Sequence, residues 1–111
     1  MNLASRHCAP CEGGMPSLGD KEINQYLKDI PAWDLINLPD KPMSIRREFK
    51  FNDFKESLDF VNKVGELAES EGHHPDMEIH YNKVDVISWT HAVRGLSDND
   101  FILASKIDAM T

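Results

Sequence analysis

Hydrophobic and polar positions along this chain follow two periods, and together they predict three helices and four strands. The longest helical pattern begins after Asn52-Asp53 and ends at Gly72, where a left-handed residue commonly closes a helix. Asp53 and Glu56 have the spacing of a capping box. The apolar residues at helical spacing are predicted to face the core: Phe54, Leu58, Phe60, Val61, Val64, Leu67 and Ala68. We therefore expect one long amphipathic helix that ends directly before His73.

Four segments are predicted to be strands: 32–38, 43–51, 76–81 and 83–90. In the second segment Arg47 interrupts an otherwise apolar face. We expect Arg47 to lie on an edge strand with its stem along the apolar surface, in preference to an ion pair across an interface. Asn82-Lys83 is predicted to form the tight turn between the last two strands.

A short helix precedes the first strand and another closes the chain. The first is predicted to run from a cap at Ser17 or Asp20 to about Lys28, and the last to begin at a cap formed by Ser97 and Asp100. The order helix, strand, strand, helix, strand, strand, helix predicts an α+β fold. This is a two-layer sandwich, with a four-stranded antiparallel sheet and helices on one face. Open edges of such a sheet favour pairing with a second copy, so we expect a homo-oligomer.

Length and composition narrow the possible classes. A chain of 111 residues predicts one domain, and we expect an irregular N-terminal arm over residues 1–16 followed by a folded domain over 17–111. The net charge of −7 argues against direct binding to nucleic acid, which needs clustered lysine and arginine. We find no apolar run near the ~20 residues of a membrane span and no secretory signal. The expected location is cytoplasmic.

Cys8 and Cys11 are the two cysteines of the chain, and both lie in the arm. A C-x-x-C pair supplies half of a tetrahedral zinc site, and the sequence has no second pair to complete it. Local packing of the arm is the simplest interpretation, while metal or disulfide chemistry stays open.

Two adjacent histidines, His73 and His74, follow the long helix. His73 lies at the negative end of the helix dipole, with Glu69 and Glu71 nearby in sequence, so we predict a raised pKa and a role as proton donor. Pro75 favours an extended backbone at His74. The pattern predicts a chemical site at this helix end.

A third histidine, His91, follows the last two predicted strands, which can return it to the pair. Three imidazoles at one pocket predict acid–base catalysis without a metal. The alternatives are a structural role as a helix cap and a metal site formed from His73, His74, His80 or His91, although His80 alternates toward solvent. Asp100 could orient a histidine in addition to capping its helix. Trp33 and Trp89 are each predicted either to stack on a flat ligand or to pack in the core.

The motifs around these histidines carry a family resemblance. They are His73-His74-Pro75-Asp76-Met77, Tyr81-Asn82-Lys83-Val84, Thr90-His91, Gly95-Leu96-Ser97 with Asp100, Leu103-Ala104 and Ile107-Asp108. In these motifs and their spacing the chain resembles the pterin-4a-carbinolamine dehydratase family, with weaker similarity over residues 27–68.

The resemblance implies a small enzyme that dehydrates 4a-hydroxytetrahydropterin to the quinonoid dihydropterin, in the recycling of the pterin cofactor of aromatic amino acid hydroxylases. It implies no metal and no added cofactor, and assembly as a homodimer or homotetramer. Some animal members also bind a homeodomain transcription factor, so a dimerisation or binding module for a regulatory protein is the alternative. The family's catalytic histidines match His73, His74 and His91. The family's substrate contacts match His73, His74, Pro75, Thr90, His91, Ala92 and Val93.

Overall fold

Three α-helices and four strands follow one another in the order that the sequence predicts. The computed structural model describes residues 3–9 and 17–111. The elements are a 3-10 turn at Leu3–Ser5, α1 (Asp20–Leu27), β1 (Asp34–Ile36), β2 (Ser44–Lys50), α2 (Phe54–Glu71), β3 (Asp76–His80), β4 (Lys83–Ser88), a second 3-10 turn at His91–Val93, and α3 (Asp98–Ala109). The predicted α+β class is confirmed.

The four strands form one antiparallel sheet in the order β1-β2-β4-β3. In this register Phe49 lies opposite Val84, and Met77 lies opposite Val86. Side chains alternate between the faces of a strand, so these apolar residues share one face. That face packs against the helices, whose buried residues include Ile23, Phe60, Val64, Phe101, Leu103 and Ile107. Within the described part of the chain no helix is both long and apolar enough to cross a bilayer.

The expected edge position of Arg47 was wrong. Its strand, β2, is paired on both sides, by β1 and β4. The Arg47 guanidinium instead lies over the Phe49 ring, 4.3 Å from the centroid, and donates to Asp108 of α3 at 2.6 Å. The cation is accommodated at the sheet–helix boundary because it gains both an aromatic face and a carboxylate.

The predicted core face of α2 was partly wrong. Phe54 and Leu58 are 45% and 39% exposed, whereas Ser57, Phe60, Val64 and Ala68 are buried. Phe60 decides the orientation, because its ring packs against two phenylalanines of the β2 region, Phe49 at 4.6 Å and Phe51 at 5.1 Å. The helix is rotated toward this aromatic cluster, which leaves Phe54 and Leu58 on its outer side.

Two local predictions also need correction. The turn between β3 and β4 consists of Tyr81 and Asn82, and Tyr81 has a φ of 57°. The turn therefore begins one residue earlier than predicted, and Tyr81 is 64% exposed. The cap of α1 is Gly19, with no side-chain hydrogen bond, so neither Ser17 nor Asp20 caps that helix.

Candidate functional site

The end of α2 places His73. Gly72 has a φ of 67°, and its amide donates to the carbonyls of Ala68 and Glu69. The His73 amide donates to the same Ala68 carbonyl at 3.2 Å. This left-handed turn closes the helix and directs the His73 side chain inward, where only 10% of it is exposed.

The His73 side chain is hydrogen-bonded to Asp100. Asp100 lies in the first turn of α3 as part of the predicted capping box with Ser97, which is confirmed. Its carboxylate is fully buried and accepts four hydrogen bonds, from His73 Nε2 at 2.7 Å, Ser88 Oγ at 2.6 Å, Thr90 Oγ1 at 2.8 Å and the Ser97 amide at 3.0 Å. Asp100 therefore both caps α3 and orients a histidine.

The hydrogen bond to Asp100 determines which nitrogen of His73 can serve a ligand. An ionised carboxylate only accepts hydrogen bonds, so Nε2 is the donor. In a neutral ring the proton then lies on Nε2, and Nδ1 is the nitrogen left to exchange a proton. Glu69 and Glu71, which were expected to act on His73, have other partners: His74 and the N-terminal arm, respectively.

His74 and His91 are the exposed members of the set. His74 Nε2 lies 2.7 Å from Glu69 Oε1, and 61% of its side chain is exposed. His91 begins the second 3-10 turn and stacks on Trp89, with ring centroids 3.8 Å apart and an angle of 25° between planes. Both rings are thus oriented by one neighbour and open to solvent.

A cavity of about 280 Å³ lies between these elements. It is lined by Ala9, Gly72, His73, His74, Trp89, Thr90, His91, Ala92 and Asn99. The structure therefore brings His73, His74, Thr90, His91 and Ala92 of the predicted set to one place. Its volume lies near the lower end of the range for small-molecule sites.

Two predicted contact residues lie outside this cavity. Pro75 lines a neighbouring groove of about 790 Å³ between α2 and β3, which also contains His74, Val61 and Met77. Val93 is half-buried in the turn after His91 and lines neither space.

Four residues of the lining were not predicted as part of the site: Ala9, Gly72, Trp89 and Asn99. Trp89 was predicted either to stack on a flat ligand or to pack in the core, and it lines the cavity. Trp33, the other candidate, is 4% exposed in the core and donates to Asp108 at 2.9 Å. No periodicity connects Ala9 with Asn99, because 90 residues separate them.

His80 lies away from the cavity on β3 and faces solvent as predicted, with 61% of its side chain exposed. Its ligand nitrogen lies within 4.8 Å of carboxylate oxygens of Glu78 and Asp85. Asp85 is already paired with Arg46 at 2.7 Å. Among the described residues, Glu78, His80 and Asp85 form the group whose ligand atoms lie close enough together to hold a metal ion. This group includes none of the three cavity histidines.

The described part of the arm packs along α3 and the end of α2. Leu3 is buried in the core, and Glu71 accepts hydrogen bonds from the Cys8 amide at 2.7 Å and pairs with His7 at 3.0 Å. Burial alone would raise the pKa of Glu71, but the Cys8 amide, His7 and Lys106 together outweigh it and lower that pKa.

Cys8 itself is half-buried with its thiol 3.6 Å from the Asn99 carbonyl oxygen. Burial, followed by the negative charges of Glu71 and Asp100, raises the pKa of this thiol to about 12. Cys8 is thus a poor nucleophile at neutral pH. Cys11 lies outside the described residues, so the predicted chemistry of the pair stays a prediction.

Comparison with known proteins gives consistent results. The family model described as pterin 4 alpha carbinolamine dehydratase matches residues 16–110. Two relatives named "Putative pterin-4-alpha-carbinolamine dehydratase" come from Rubrobacter xylanophilus (39% identical, covering 97% of each chain) and Alkaliphilus metalliredigens (44% identical, covering 96% of this chain and 94% of the relative). A crystal structure of a "transcriptional coactivator/pterin dehydratase" from Brucella melitensis is 32% identical, with a TM-score of 0.75 over 85% of this chain and 97% of that one.

Proposed function

The chain belongs to the pterin 4 alpha carbinolamine dehydratase family, and on that premise we propose that it dehydrates 4a-hydroxytetrahydropterin to the quinonoid dihydropterin. One observation carries the proposal. Three imidazoles, two from the segment after α2 and one from the turn after β4, line one small cavity, and a buried carboxylate orients the innermost ring. Such an arrangement suits a reaction that consists of proton transfers.

The chemistry needs two proton movements. The C4a–O bond breaks as the hydroxyl group takes a proton and leaves as water, while N5 loses its proton and forms a double bond to C4a. We assign delivery of the proton to His73, whose ring Asp100 holds in place. We assign removal of the N5 proton to His74 or His91, the two exposed rings. Proton transfer by positioned side chains supplies roughly 10²–10⁴-fold of rate.

The remaining parts of the cavity suit a flat bicyclic substrate. Trp89 and Ala92 supply apolar surface, and Thr90 supplies a polar group. Pro75 lines the groove that shares His74 with the cavity, and this groove could take a substituent of the ring. The reaction needs no metal and no added cofactor, because one imidazole can supply the proton to the hydroxyl group and another can accept the proton from N5.

The proposed setting is the recycling of a tetrahydropterin cofactor in the cytoplasm, in partnership with an aromatic amino acid hydroxylase. We also propose that the chain forms a homodimer or homotetramer. The exposed edge strand β3 and the outer side of α2 support this proposal.

A stopped-flow assay of carbinolamine loss tests the activity. Purified protein, with and without prior EDTA treatment, should accelerate the loss equally. The catalysed rate should also change between pH 5.5 and 8, the range in which imidazole side chains ordinarily change charge. A rate no greater than that of buffer would contradict the proposed activity, and a profile flat across this range would contradict histidine acid–base catalysis.

A second candidate is a dimerisation or binding module for a regulatory protein. Two observations favour it: the "transcriptional coactivator" description of the similar Brucella melitensis protein and the exposure of Phe54 and Leu58 on α2. A Leu58→Glu variant would then lose the partner while it kept dehydratase activity. If Leu58→Glu lost partner binding and dehydratase activity together, the dehydratase would be the better interpretation.

A further inference from the structure

The N-terminal arm reaches the histidine cavity. Ala9 is among the residues that line it, together with Asn99 from the first turn of α3. The family model begins at residue 16, so this side of the cavity comes from a segment that the family model does not include. Residues 7–9, which we call the arm segment, cross the two helix ends that flank His73 and Asp100.

Asn99 fixes the arm segment by two hydrogen bonds of opposite sense. The Ala9 amide donates to Asn99 Oδ1 at 2.9 Å, and Asn99 Nδ2 donates to the Ala9 carbonyl at 2.6 Å. Asn99 is 6% exposed, so water competes little for these bonds. A side-chain amide that satisfies both backbone groups of one residue holds that residue in a single position.

Glu71 holds the other end of the same segment. Its carboxylate is 7% exposed and accepts from the Cys8 amide at 2.7 Å. Glu71 directly precedes Gly72 and His73, as Asn99 directly precedes Asp100. The arm segment therefore ties together the two chain segments that supply the buried His73–Asp100 pair.

The chemistry of the arm segment indicates binding and not proton transfer. Ala9 offers no titratable group, and the Cys8 thiol is directed at the Asn99 carbonyl. His7 pairs with Glu71 and has 80% of its side chain exposed, and it does not line the cavity. Loss of this side of the cavity should weaken substrate binding and leave the reacting groups in place.

Building on the proposed function, we propose that the arm segment is one side of the pterin site and that Asn99 is the positioning residue that holds it there. The arm then helps to set the affinity for substrate, while the histidines perform the reaction. Asn99 acts through Ala9 and is not itself a reacting group.

Two measurements on one set of variants test this inference. All variants carry Cys11→Ser, so that alkylation by iodoacetamide at pH 8 reports on Cys8 alone, whose thiol is protected in the docked arm. Asn99→Ala removes both hydrogen bonds, and Ala9→Pro removes the amide donor from the arm without altering α3. Asn24→Ala, at an exposed position of α1, is the matched control.

We expect Asn99→Ala and Ala9→Pro each to speed alkylation of Cys8 by about tenfold, the effect of losing one or two hydrogen bonds. KM for the carbinolamine should rise by about 3–10-fold with kcat within about twofold, because uniform binding is lost. Asn24→Ala should change neither quantity. If Asn99→Ala fails to fold, Ala9→Pro gives the same comparison from the arm side.

Three outcomes would overturn the inference. Faster alkylation with an unchanged KM would show that the arm does not contact substrate. Unchanged alkylation would show that Asn99 does not hold the arm. A fall in kcat at constant KM would show that Asn99 acts through Asp100. In each case turnover by the wild type would still support the proposed function. A wild-type protein without turnover would overturn both the proposed function and the inference about the arm.

Discussion

At the scale of single residues, Asp100 connects the fold to the candidate chemistry. The buried Asp100 carboxylate caps α3, accepts hydrogen bonds from hydroxyl groups of β4 and of the segment after it, and orients His73. The four donors come from separate parts of the chain, so the position of His73 depends on the helix, the sheet and the loop being assembled together. The four hydrogen bonds satisfy the buried carboxylate, so its burial costs little free energy. Removing its charge would leave some of the donors without an acceptor.

Asp100→Asn tests this role at nearly constant volume. The new amide N–H must face groups that themselves donate, so we expect the free energy of unfolding to fall by about 3 kcal/mol. The matched control is Asp98→Asn, two residues earlier in the same helix turn, whose pair with Arg6 is partly exposed and should contribute less than about 1 kcal/mol. Urea unfolding curves compare the two, and equal losses would contradict the central place of Asp100.

At the scale of elements, the closure of α2 sets the direction in which His73 leaves the helix. Gly72 adopts a φ of +67° with open space around its α-carbon, so conformation and not crowding selects glycine there. Replacement by alanine should cost about 1 kcal/mol, the penalty of the left-handed region for a residue with a β-carbon. It should also lower kcat, because the His73 backbone would shift.

Gly65→Ala is the matched control for that substitution. Gly65 lies within α2, also with nothing near its α-carbon, and has no positive φ. Alanine should therefore stabilise the protein by about 0.5–1 kcal/mol. Opposite signs of the two stability changes in urea unfolding are expected, and the same sign for both would contradict this interpretation.

The docking of the arm on α2 predicts a dependence on pH. The pKa of Glu71 is lowered in the folded protein, so its ionised form stabilises the fold above the ordinary value near 4.5, and this contribution is lost as pH falls. Melting temperatures of the wild type and Glu71→Gln should differ at pH 7 and converge below about pH 4.5. A difference that stays constant from pH 7 to pH 3 would contradict the ionic role of Glu71.

At the scale of the whole molecule, periodicity was enough to predict the order of the elements. The end of the helix before His73 was also predictable, because Gly72 and the capping residues act through local geometry. Arg47, Phe54 and Leu58 were misplaced because strand order and helix rotation depend on partners distant in sequence, such as Asp108 and the aromatic cluster around Phe60.

The candidate site was predictable to a similar degree. The three histidines could be proposed from their positions beside a helix end and a returning strand pair. Asp100 could also be proposed as an orienting residue, but not the histidine that it holds. Glu69 and Trp89 could not be assigned as partners of His74 and His91, because tertiary contacts select them. The contact of Ala9 with Asn99 spans 90 residues and carries no local pattern.

The proposed assembly is also a property of the whole molecule. β3 is an edge strand with Ile79 36% exposed, and α2 exposes Phe54 and Leu58. Sedimentation should give the mass of a dimer or tetramer, and Leu58→Glu should lower that mass or weaken association because it places a charge on an apolar contact. Asn24→Ala, at an exposed position of α1 away from β3 and α2, should leave the mass unchanged. A wild-type protein that sediments as a single chain would contradict the assembly.

The most direct test of the proposed function is the rate of 4a-carbinolamine loss with single histidine variants of the cavity. The wild type should accelerate the reaction, and at least one of His74→Ala and His91→Ala should reduce the catalysed rate by about 100-fold, the usual contribution of one acid–base group. His80→Ala, a histidine of the same chain outside the cavity, should retain the full rate. Wild-type activity that survives unchanged in the His74→Ala and His91→Ala proteins would contradict the assignment of this cavity as the catalytic site.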